Sequence, residues 1–448
     1  MPATEIEIRL PHLRLAARAW GESSSPPLLA LHGWLDNAAS FDAIAPYLAA
    51  AGRMGLDVLI ASRGEHSLVS EVHAGLHVDL DDPQTALSDI LHSARHLPFT
   101  GILGSDDSTV ELAAMAAQQL GLPHNPPQAA RLSRRKDLAR AHLALAGCPV
   151  PLHCLVDLDQ PLPAQMAGLP WPCVIKPLNL SASRGVIRAN DAAEFITACQ
   201  RIKPIIAEAN DSFEAGHVLV EDYIDGIEVA YEGYLHEGKL HTITIFDKPD
   251  ELCGPFFAET YYITPTRLPA EQVTKVSEIV QQACEAYGVK TGPVHAECRL
   301  RGNEIYLIEM AARTIGGLCS DILEYGLDCS LEEIVLNQTT GQSLLLPTEN
   351  TFSETAAGVM MIPVPKQGIL KRIEGLLEAG KIEFIEDINI QLRDGYELTP
   401  LPEGNNYLGF IFAKAPVFEQ VEQALRAAYA CLNIVVAPLW KIGNIENK

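Results

Sequence analysis

HAECRLRGNEIYLIEMAARTIGG, residues 295–317, holds the pattern on which the fold assignment depends. Two runs of alternating apolar side chains flank the turn at 301–304, which predicts an antiparallel hairpin. Near-symmetric pairing about residue 303 would place Glu297 and Glu309 side by side on one face of the hairpin. Adjacent carboxylates repel each other unless a cation lies between them, and oxygen-only ligands favour Mg²⁺. The alternative is a pair of structural glutamates in salt bridges with nearby arginines.

A second hairpin pattern lies upstream in VLVEDYIDGIEVAYEGYL, residues 218–235. An apolar strand runs into residues 221–224, and the alternation resumes after Gly226. We expect an edge strand here, whose free backbone groups can pair with the edge of an adenine base. Glu228 would then accept hydrogen bonds from the ribose hydroxyls. A plain edge hairpin without a ligand is the alternative.

Two lysines lie in patterns suited to phosphate binding. Lys176 is followed by a small-residue loop at 181–185, whose backbone N–H groups can face phosphate oxygens beside the lysine charge. Lys136 belongs to a basic helix predicted at 131–147, where it shares a face with Arg140. An ordinary polar hairpin and a solvated basic helix face are the respective alternatives.

Composition excludes several classes of function. The formal net charge of −24 opposes general binding to nucleic acid or to an anionic membrane. No stretch approaches the roughly 18 apolar residues of a membrane span, and the start MPATEIEIRL lacks the apolar core of a signal peptide. The ten cysteines include no Cys-x-x-Cys pair, which indicates reduced thiols and predicts a cytoplasmic location.

At 448 residues the chain is long enough for two to four domains, and we expect a mixed α/β and α+β protein. Alternating strand and helix patterns predict a small doubly wound domain near the N-terminus, in which GILGSDD (101–107) supplies a strand and Ser105 or Asp106 caps a helix. The expected divisions are 1–52, a Rossmann-like domain at 53–130, a main domain at 131–346 with a mobile lid at about 150–222, a linker at 346–350 and a C-terminal domain at 351–445.

The first division contains PPLLALHGWLDNAASFD, residues 26–42, which resembles the His-Gly oxyanion turn of an α/β-hydrolase. The chain has no strict Gly-x-Ser-x-Gly motif for the nucleophile of such an enzyme. The loose match at 181–185 is followed by a strand-like run, whereas a nucleophile elbow leads into a helix. We therefore interpret residues 1–52 as scaffold.

The order of these patterns, from the lysine helix to the paired carboxylates and arginine, resembles the ATP-grasp superfamily over about residues 53–445. It is most similar to the carboxylate–amine ligases of the amino-acid (dipeptide) type. The resemblance implies an ATP-grasp fold with a small doubly wound N-terminal domain and a C-terminal α+β closing domain. It also implies a reaction in which ATP, with Mg²⁺ or Mn²⁺, activates a carboxylate as an acyl phosphate that an amine then displaces. Amino acids are the implied substrates, and the homodimer is an assembly common in the family.

The resemblance further implies a role for each residue at a matching position. The implied ATP-binding residues are Lys136, Lys176, Ser181, Ser183, Gly185, Glu221, Asp222, Ile224 and Glu228. The implied metal ligands are Glu297 and Glu309, and the implied catalytic residues are Arg313 and Lys176. The implied substrate side comprises Lys248, Glu259, Gly316 and Gly317.

Two features depart from the family pattern. Ala311 stands where the family usually has an asparagine ligand to the metal, and the usual opening strand and turn are replaced by the hydrolase-like piece. These departures keep an ATP-binding pseudoenzyme or regulatory protein as an alternative. An ATP-dependent carboxylase with bicarbonate as acceptor, and an esterase with Ser183 as nucleophile, are further alternatives.

Overall fold

The structure is a computed structural model. It describes residues 4–10, 13–19, 45–63, 75–104, 107, 109–207, 209, 211–316, 318–320, 322, 330–341 and 355–439. The hydrolase-like turn at 26–42, the linker at 346–350 and Gly317 lie outside these residues. Among the helices of the described part, none is long and apolar enough to cross a membrane.

In its described residues, the N-terminal region contains two small sheets and three helices. Strands β1 (Thr4–Leu10) and β2 (Leu13–Ala19) form an antiparallel hairpin, and β3 (Ile60–Arg63) pairs in parallel with β4 (Gly75–Val78). The helices are α1 (Ala45–Arg53), α2 (Pro83–Ala94) and α3 (Val110–Leu120). Within the described residues, the parallel pairing of β3 with β4 is the feature typical of a doubly wound domain.

GILGSDD does not form the strand predicted for it. Residues 101–104 have no strand structure, and the N-cap position of α3 is Thr109. Ser105 and Asp106, the predicted caps, lie outside the described residues. Close packing of the backbone at Gly101 and Gly104 gives a reason why residues 101–104 do not form a regular strand. A methyl group on Gly101 would lie 2.4 Å from the carbonyl oxygen of Thr339.

The single basic helix predicted at 131–147 is wrong, because the structure contains two helices there. Helix α4 (Pro127–Arg134) ends before Arg135, whose backbone is extended, and α5 (Lys136–Leu145) begins directly after it. The N–H of Lys136 donates outside the helix, to the carbonyl oxygen of Leu178 at 2.9 Å. The Arg135 guanidinium binds both carboxylate oxygens of Asp137 at 2.9 and 3.0 Å. This break aligns the start of α5 with the loop that follows Lys176.

A four-stranded antiparallel sheet follows. Its elements in chain order are β5 (His153–Asp157), α6 (Leu162–Gln165), β6 (Cys173–Pro177), β7 (Ile187–Ala189), α7 (Ala192–Ile206), α8 (Ser212–Gly216) and β8 (His217–Asp222). The strand order is β5-β8-β6-β7. Helix α7 packs Phe195 and Ile202 against Ile175 and Val220 of the sheet, in one apolar cluster. We call residues 153–222 the four-stranded unit.

The remaining chain builds the main sheet. Its elements in chain order are β9 (Ile227–His236), β10 (Lys239–Asp247), β11 (Tyr261–Thr264), α9 (Ala270–Tyr287), β12 (Gly292–Arg301), β13 (Glu304–Ala311), α10 (Leu331–Thr339), β14 (Ala356–Pro363), β15 (Gly368–Glu374), α11 (Leu376–Ala379), β16 (Ile385–Ile390), β17 (Glu397–Leu398), β18 (Tyr407–Ala415), α12 (Phe418–Ala430) and β19 (Asn433–Ala437). Eight of these strands form one sheet in the order β13-β12-β9-β10-β11-β14-β18-β16. The other three form a small sheet in the order β17-β15-β19.

The eight-stranded sheet continues without interruption into the C-terminal region. Strand β11 pairs with β14 from Tyr261 opposite Met360 to Thr264 opposite Ala357. Helix α9 covers the first half with Val276 and Val280, and α12 covers the second half in a separate apolar cluster. Strands on both sides of this junction therefore form one continuous hydrogen-bonded surface.

The turn between the four-stranded unit and β9 depends on a glycine. Gly226 has φ +109°, and a methyl group there would lie 2.1 Å from the carbonyl oxygen of Leu300. We expect Gly226→Ala to lower the free energy of unfolding by at least about 2 kcal/mol, because overpacking adds to left-handed strain. Gly238→Ala is the matched control, since φ is +82° there and no atom lies within 4 Å of the added methyl. Equal melting temperatures of the two variants would contradict this prediction.

Candidate active site

One cavity of about 750 Å³ lies between the four-stranded unit and the eight-stranded sheet. Most of the residues predicted from the sequence line it, although they come from segments far apart in the chain. The predicted residues in its wall are Lys136, Lys176, Ser181, Ser183, Glu221, Asp222, Ile224, Glu228, Glu259, Glu297, Glu309, Arg313 and Gly316. Two predicted residues of the described part are not in the wall: Lys248 lies directly behind it, and Gly185 faces another segment.

The hairpin β12–β13 places two carboxylates at the cavity. Its register sets Glu297 opposite Glu309, as the pairing about residue 303 predicts, and the register shifts immediately after this pair. Glu309 Oε1 accepts a hydrogen bond from Lys136 Nζ at 2.6 Å. The β-bulge shifts the register by one residue next to the pair of glutamates, and the two strands remain paired on both sides of it.

Glu297 is also part of a buried cluster centred on Lys248. The ammonium of Lys248 donates to Glu228, Glu259 and Glu297 at 2.8, 2.7 and 3.0 Å. One carboxylate oxygen from each glutamate lies within 4.8 Å of the other two. Arg299 neutralises part of this charge, because its Nε donates to Glu228 at 2.6 Å. The cluster therefore holds more carboxylates than cations.

The close approach of these charged groups changes the pKa values of Glu259 and Glu297. Burial, together with the negative charge of Glu297, raises the pKa of Glu259 to about 7, against the opposing effect of Lys248. Burial opposes the ionisation of Glu297, but the Lys248 charge and the hydrogen bonds with Glu259 and Lys248 together lower its pKa. The Glu259 carboxyl group thus titrates near neutral pH while Glu297 stays ionised. An oxygen-only donor set with excess negative charge fits a divalent cation.

The Glu221 carboxylate links helix α5 to strand β6 and, through Arg140, to strand β13. It receives Arg140 Nε at 2.5 Å and Lys176 Nζ at 2.7 Å. Arg140 also donates to the carbonyl oxygens of Leu307 and Ile308 in β13, at 2.8 and 2.6 Å. Burial opposes ionisation, but the two cations lower the pKa of Glu221 to about 2. The Glu221 side chain is therefore held in ion pairs, and it positions Lys176 at the cavity.

The predicted edge strand at 221–224 is wrong. Strand β8 lies inside the four-stranded sheet, where it pairs with both β5 and β6. The N–H groups of Asp222 and Tyr223 donate to the carbonyl oxygens of Leu152 and Pro172, at 2.8 and 3.1 Å. Sheet order depends on distant segments, so local alternation could not distinguish an inner strand from an edge strand. Asp222 and Ile224 nevertheless remain in the cavity wall.

The small-residue loop lies over the cavity between β6 and β7, which form the predicted hairpin. Ala182, Ser183 and Gly185 have φ of +52°, +55° and +73°. A methyl group on Gly185 would lie 2.6 Å from the Pro177 ring, so glycine is required there. The N–H of Gly185 donates to the carbonyl oxygen of Pro402 at 2.8 Å, which directs it away from the cavity.

Arg313 is fixed by a partner that the sequence pattern did not single out. Its guanidinium binds both oxygens of Asp107, at 2.7 and 2.8 Å, and this pair holds the pKa of Asp107 low in spite of burial. Asp107 ends the GILGSDD segment, and its distance of 206 residues from Arg313 explains why spacing alone could not reveal the pair. The bidentate contact orients the arginine at the cavity wall.

His295 and Glu232 form a second pair that the predictions omit. His295 Nδ1 lies 3.0 Å from Glu232 Oε2, and the other oxygen of Glu232 accepts the N–H of Ile315 at 3.1 Å. Burial raises the pKa of Glu232. His295 precedes Glu297 by two positions in β12, so the alternation that predicts the face of Glu297 also predicts the face of His295. Glu232 thus joins the histidine to the segment after Arg313.

One end of the cavity is apolar and aromatic. Its wall there consists of Tyr262, Leu318, Met361, Tyr407 and Phe410. Tyr262 belongs to β11, whereas Met361, Tyr407 and Phe410 come from the C-terminal strands β14 and β18. Lysines, arginines and carboxylates also line the wall, so the cavity suits a molecule that has both charged and apolar parts.

Three family models match successive parts of the chain. Residues 48–124 match the ATP-grasp N-terminal domain, residues 169–322 the ATP-grasp domain, and residues 360–437 the L-amino acid ligase C-terminal domain 2. The fold and the site define an ATP-grasp protein, and the chain belongs to this superfamily. Several of the proteins that it resembles are named as ligases or synthases.

A crystal structure of L-amino acid ligase from Bacillus licheniformis superposes with a TM-score of 0.77 at 26% identity, over 87% of this chain and 95% of that chain. Carnosine synthase 1 of Homo sapiens is 28% identical over 335 residues, which are 70% of this chain and 40% of that protein. Alanine–anticapsin ligase of Bacillus subtilis is 28% identical over 257 residues, 54% of each chain. The chain thus spans about half or less of the length of these two relatives.

Proposed function

We propose that the protein is an ATP-dependent carboxylate–amine ligase that forms an acyl phosphate and releases ADP and phosphate. The observation that carries the proposal is the single cavity that joins Lys136, Lys176 and Arg313 to the carboxylates of Glu297 and Glu309. Proteins similar to this chain are named L-amino acid ligase, alanine–anticapsin ligase and carnosine synthase, and these names support an amino-acid ligase reaction here.

ATP is the proposed phosphoryl donor, held between the two sheets. Lys136 and Lys176 contribute positive charge toward its phosphates, and Ser181 and Ser183 cover them from the loop. Asp222, Ile224 and Glu228 lie on the proposed nucleoside side of the cavity. ATP binding has to separate Lys136 from Glu309, because their present contact at 2.6 Å satisfies both charges.

Mg²⁺ is the proposed metal, with Glu297 and Glu309 as ligands, and when bound it supplies positive charge to the phosphate oxygens. Ala311 offers no side-chain ligand atom, so the side-chain ligand set on this strand is smaller than in members with asparagine. The neighbouring Glu228 and Glu259 offer further carboxylate oxygens within 4.8 Å of one oxygen of Glu297. The metal site is therefore rich in acidic ligands without the asparagine.

The reaction has two displacements. A carboxylate oxygen of the first substrate attacks the γ-phosphorus of ATP, the bond to ADP breaks, and an acyl phosphate forms. The amine of the second substrate attacks the acyl carbon, phosphate leaves, and the amine loses a proton to give the amide. Arg313, held rigid by Asp107, stabilises negative charge on the phosphoryl group in both steps. The closed loop at 181–185 excludes water, which would hydrolyse the acyl phosphate.

Amino acids are the proposed substrates. Lys248 and Glu259 lie beside the apolar end of the cavity, so a charged amino-acid backbone and an apolar side chain can bind there together. Gly316 leaves space at the wall near Arg313. Which amino acids fit is determined by side chains from β11, β14 and β18.

The proposal is tested by ADP release in the presence of ATP, Mg²⁺ and pooled amino acids. We expect amino-acid-dependent ADP release from the wild type, and its loss in Lys176→Ala and Glu309→Ala. Lys203→Ala and Glu304→Ala are matched controls, since these side chains are 52% and 63% exposed outside the cavity wall. ATP binding without ADP release under any substrate pair would favour the pseudoenzyme. Bicarbonate-dependent release would favour a carboxylase.

A further inference from the structure

The loop at 181–185 is attached to main-chain carbonyl groups of the C-terminal region. The N–H of Gly185 donates to the carbonyl oxygen of Pro402 at 2.8 Å, and Arg184 Nε donates to the carbonyl oxygen of Glu403 at 2.9 Å. Both acceptors belong to the turn at 399–404, between β17 and β18. Gly404 makes this turn tight: its N–H donates to Pro400 at 2.9 Å, and a methyl group there would collide with Thr399.

A side-chain contact joins the same two parts. Arg201 of α7 donates to both carboxylate oxygens of Glu403, at 2.5 and 2.9 Å, and its guanidinium lies 4.8 Å from the Phe256 ring centre. The two side chains are 42% and 39% exposed, so water screens the pair and can replace each contact. Such a pair is suited to repeated breaking and reforming.

The two sides of these contacts belong to different sheets. Arg184, Gly185 and Arg201 lie in the four-stranded unit, whereas the turn at 399–404 leads directly into β18 of the eight-stranded sheet. Asn405, next to the turn, lines the cavity together with Ser181 and Ser183. Separation of the loop from the turn would therefore open the cavity at this side.

We propose that the turn at 399–404 is a latch that holds the phosphate-binding loop closed, with Arg201 and Glu403 as its positioning residues. The inference rests on the proposed function for the role of the loop toward ATP. ATP must enter and ADP must leave past this loop, whereas the acyl phosphate must be protected from water while it exists. A latch of a few exposed contacts satisfies both needs, because it favours the closed loop without making it permanent.

The physical test is limited digestion with trypsin, which can cleave after Arg184 only when the loop leaves the turn. We expect Glu403→Gln and Arg201→Gln to raise the initial rate of this cleavage about two- to fivefold, the range of an exposed ion pair. The double exchange Arg201→Glu with Glu403→Arg should restore part of the protection, whereas each exchange alone should increase cleavage. Glu271→Gln is the matched control, because it removes an exposed pair with Lys275 on α9, outside the latch.

The functional test measures the ratio of ADP to amide product with the same variants. We expect Glu403→Gln to raise this ratio and the KM for ATP, because acyl phosphate hydrolyses in a loosened cavity. Unchanged cleavage after Arg184 in Glu403→Gln, or no recovery in the double exchange, would overturn the latch. Absence of ADP release from the wild type would refute the proposed function instead, and the cleavage rates would still decide whether the latch exists.

Discussion

Glu297→Gln is expected to lower amino-acid-dependent ADP release about 10²- to 10³-fold, the cost of losing one charge-stabilising group in an enclosed site. The amide keeps the size of the side chain, and Lys248 keeps its contacts with Glu228 and Glu259. The protein should therefore fold normally and bind the metal more weakly. Steady-state rates over a Mg²⁺ titration measure both effects.

Two further outcomes make the Glu297 prediction specific. Glu259 should become more acidic in the variant, because the neighbouring negative charge that raises its pKa is gone. Glu304→Gln, at the exposed end of the same hairpin, is the control and should leave the rate unchanged. A Glu297→Gln enzyme with the wild-type rate and Mg²⁺ requirement would exclude this carboxylate as a metal ligand.

Arg140→Met is expected to lower the free energy of unfolding by about 3–5 kcal/mol, because removal of one partner leaves a buried carboxylate short of positive charge. The change removes the contact to Glu221 and also leaves the carbonyl oxygens of Leu307 and Ile308 without this donor. Thermal unfolding measured at neutral pH, with far-UV circular dichroism to confirm the fold, provides the test.

The loss of stability caused by Arg140→Met should be larger at neutral pH than in acid. The pKa of Glu221 falls from 4.5 to about 2 in the folded state, so its ionisation stabilises the fold fully above about pH 4.5 by roughly 3 kcal/mol. This contribution is lost as the pH falls toward 2. The difference in stability between wild type and Arg140→Met should therefore narrow below pH 4.5. Arg301→Met, which removes an exposed pair with Glu304, should show no comparable loss at neutral pH.

The local parts of the site could be predicted from the sequence. Alternation on both sides of a four-residue turn predicts the β12–β13 hairpin and a common face for Glu297 and Glu309, whereas the β-bulge that sets them directly opposite each other leaves no such pattern. The β6–β7 hairpin and the helix near residues 418–430 follow in the same way. Short-range patterns contain the information for these elements.

Features that depend on distant partners could not be predicted. The break between α4 and α5 coincides with a hydrogen bond from Lys136 to Leu178, and β8 is an inner strand because β5 pairs with its other side. Asp107 reaches Arg313 across 206 residues of sequence. Patterns within one segment do not indicate pairings between distant segments. The variants described above test the roles proposed for the residues on the ATP side of the cavity.

The junction between β11 and β14 has a consequence for how the protein can change its substrates. Glu297 and Glu309, the proposed metal ligands, and the apolar end of the cavity come from separate stretches of the chain, yet both lie on one hydrogen-bonded sheet. Replacements at Met361 or Phe410 can alter the shape of the apolar end while the paired strands keep Glu297 and Glu309 in register. If the proposed function holds, new specificities can thus arise in the last hundred residues while the proposed metal ligands keep their arrangement.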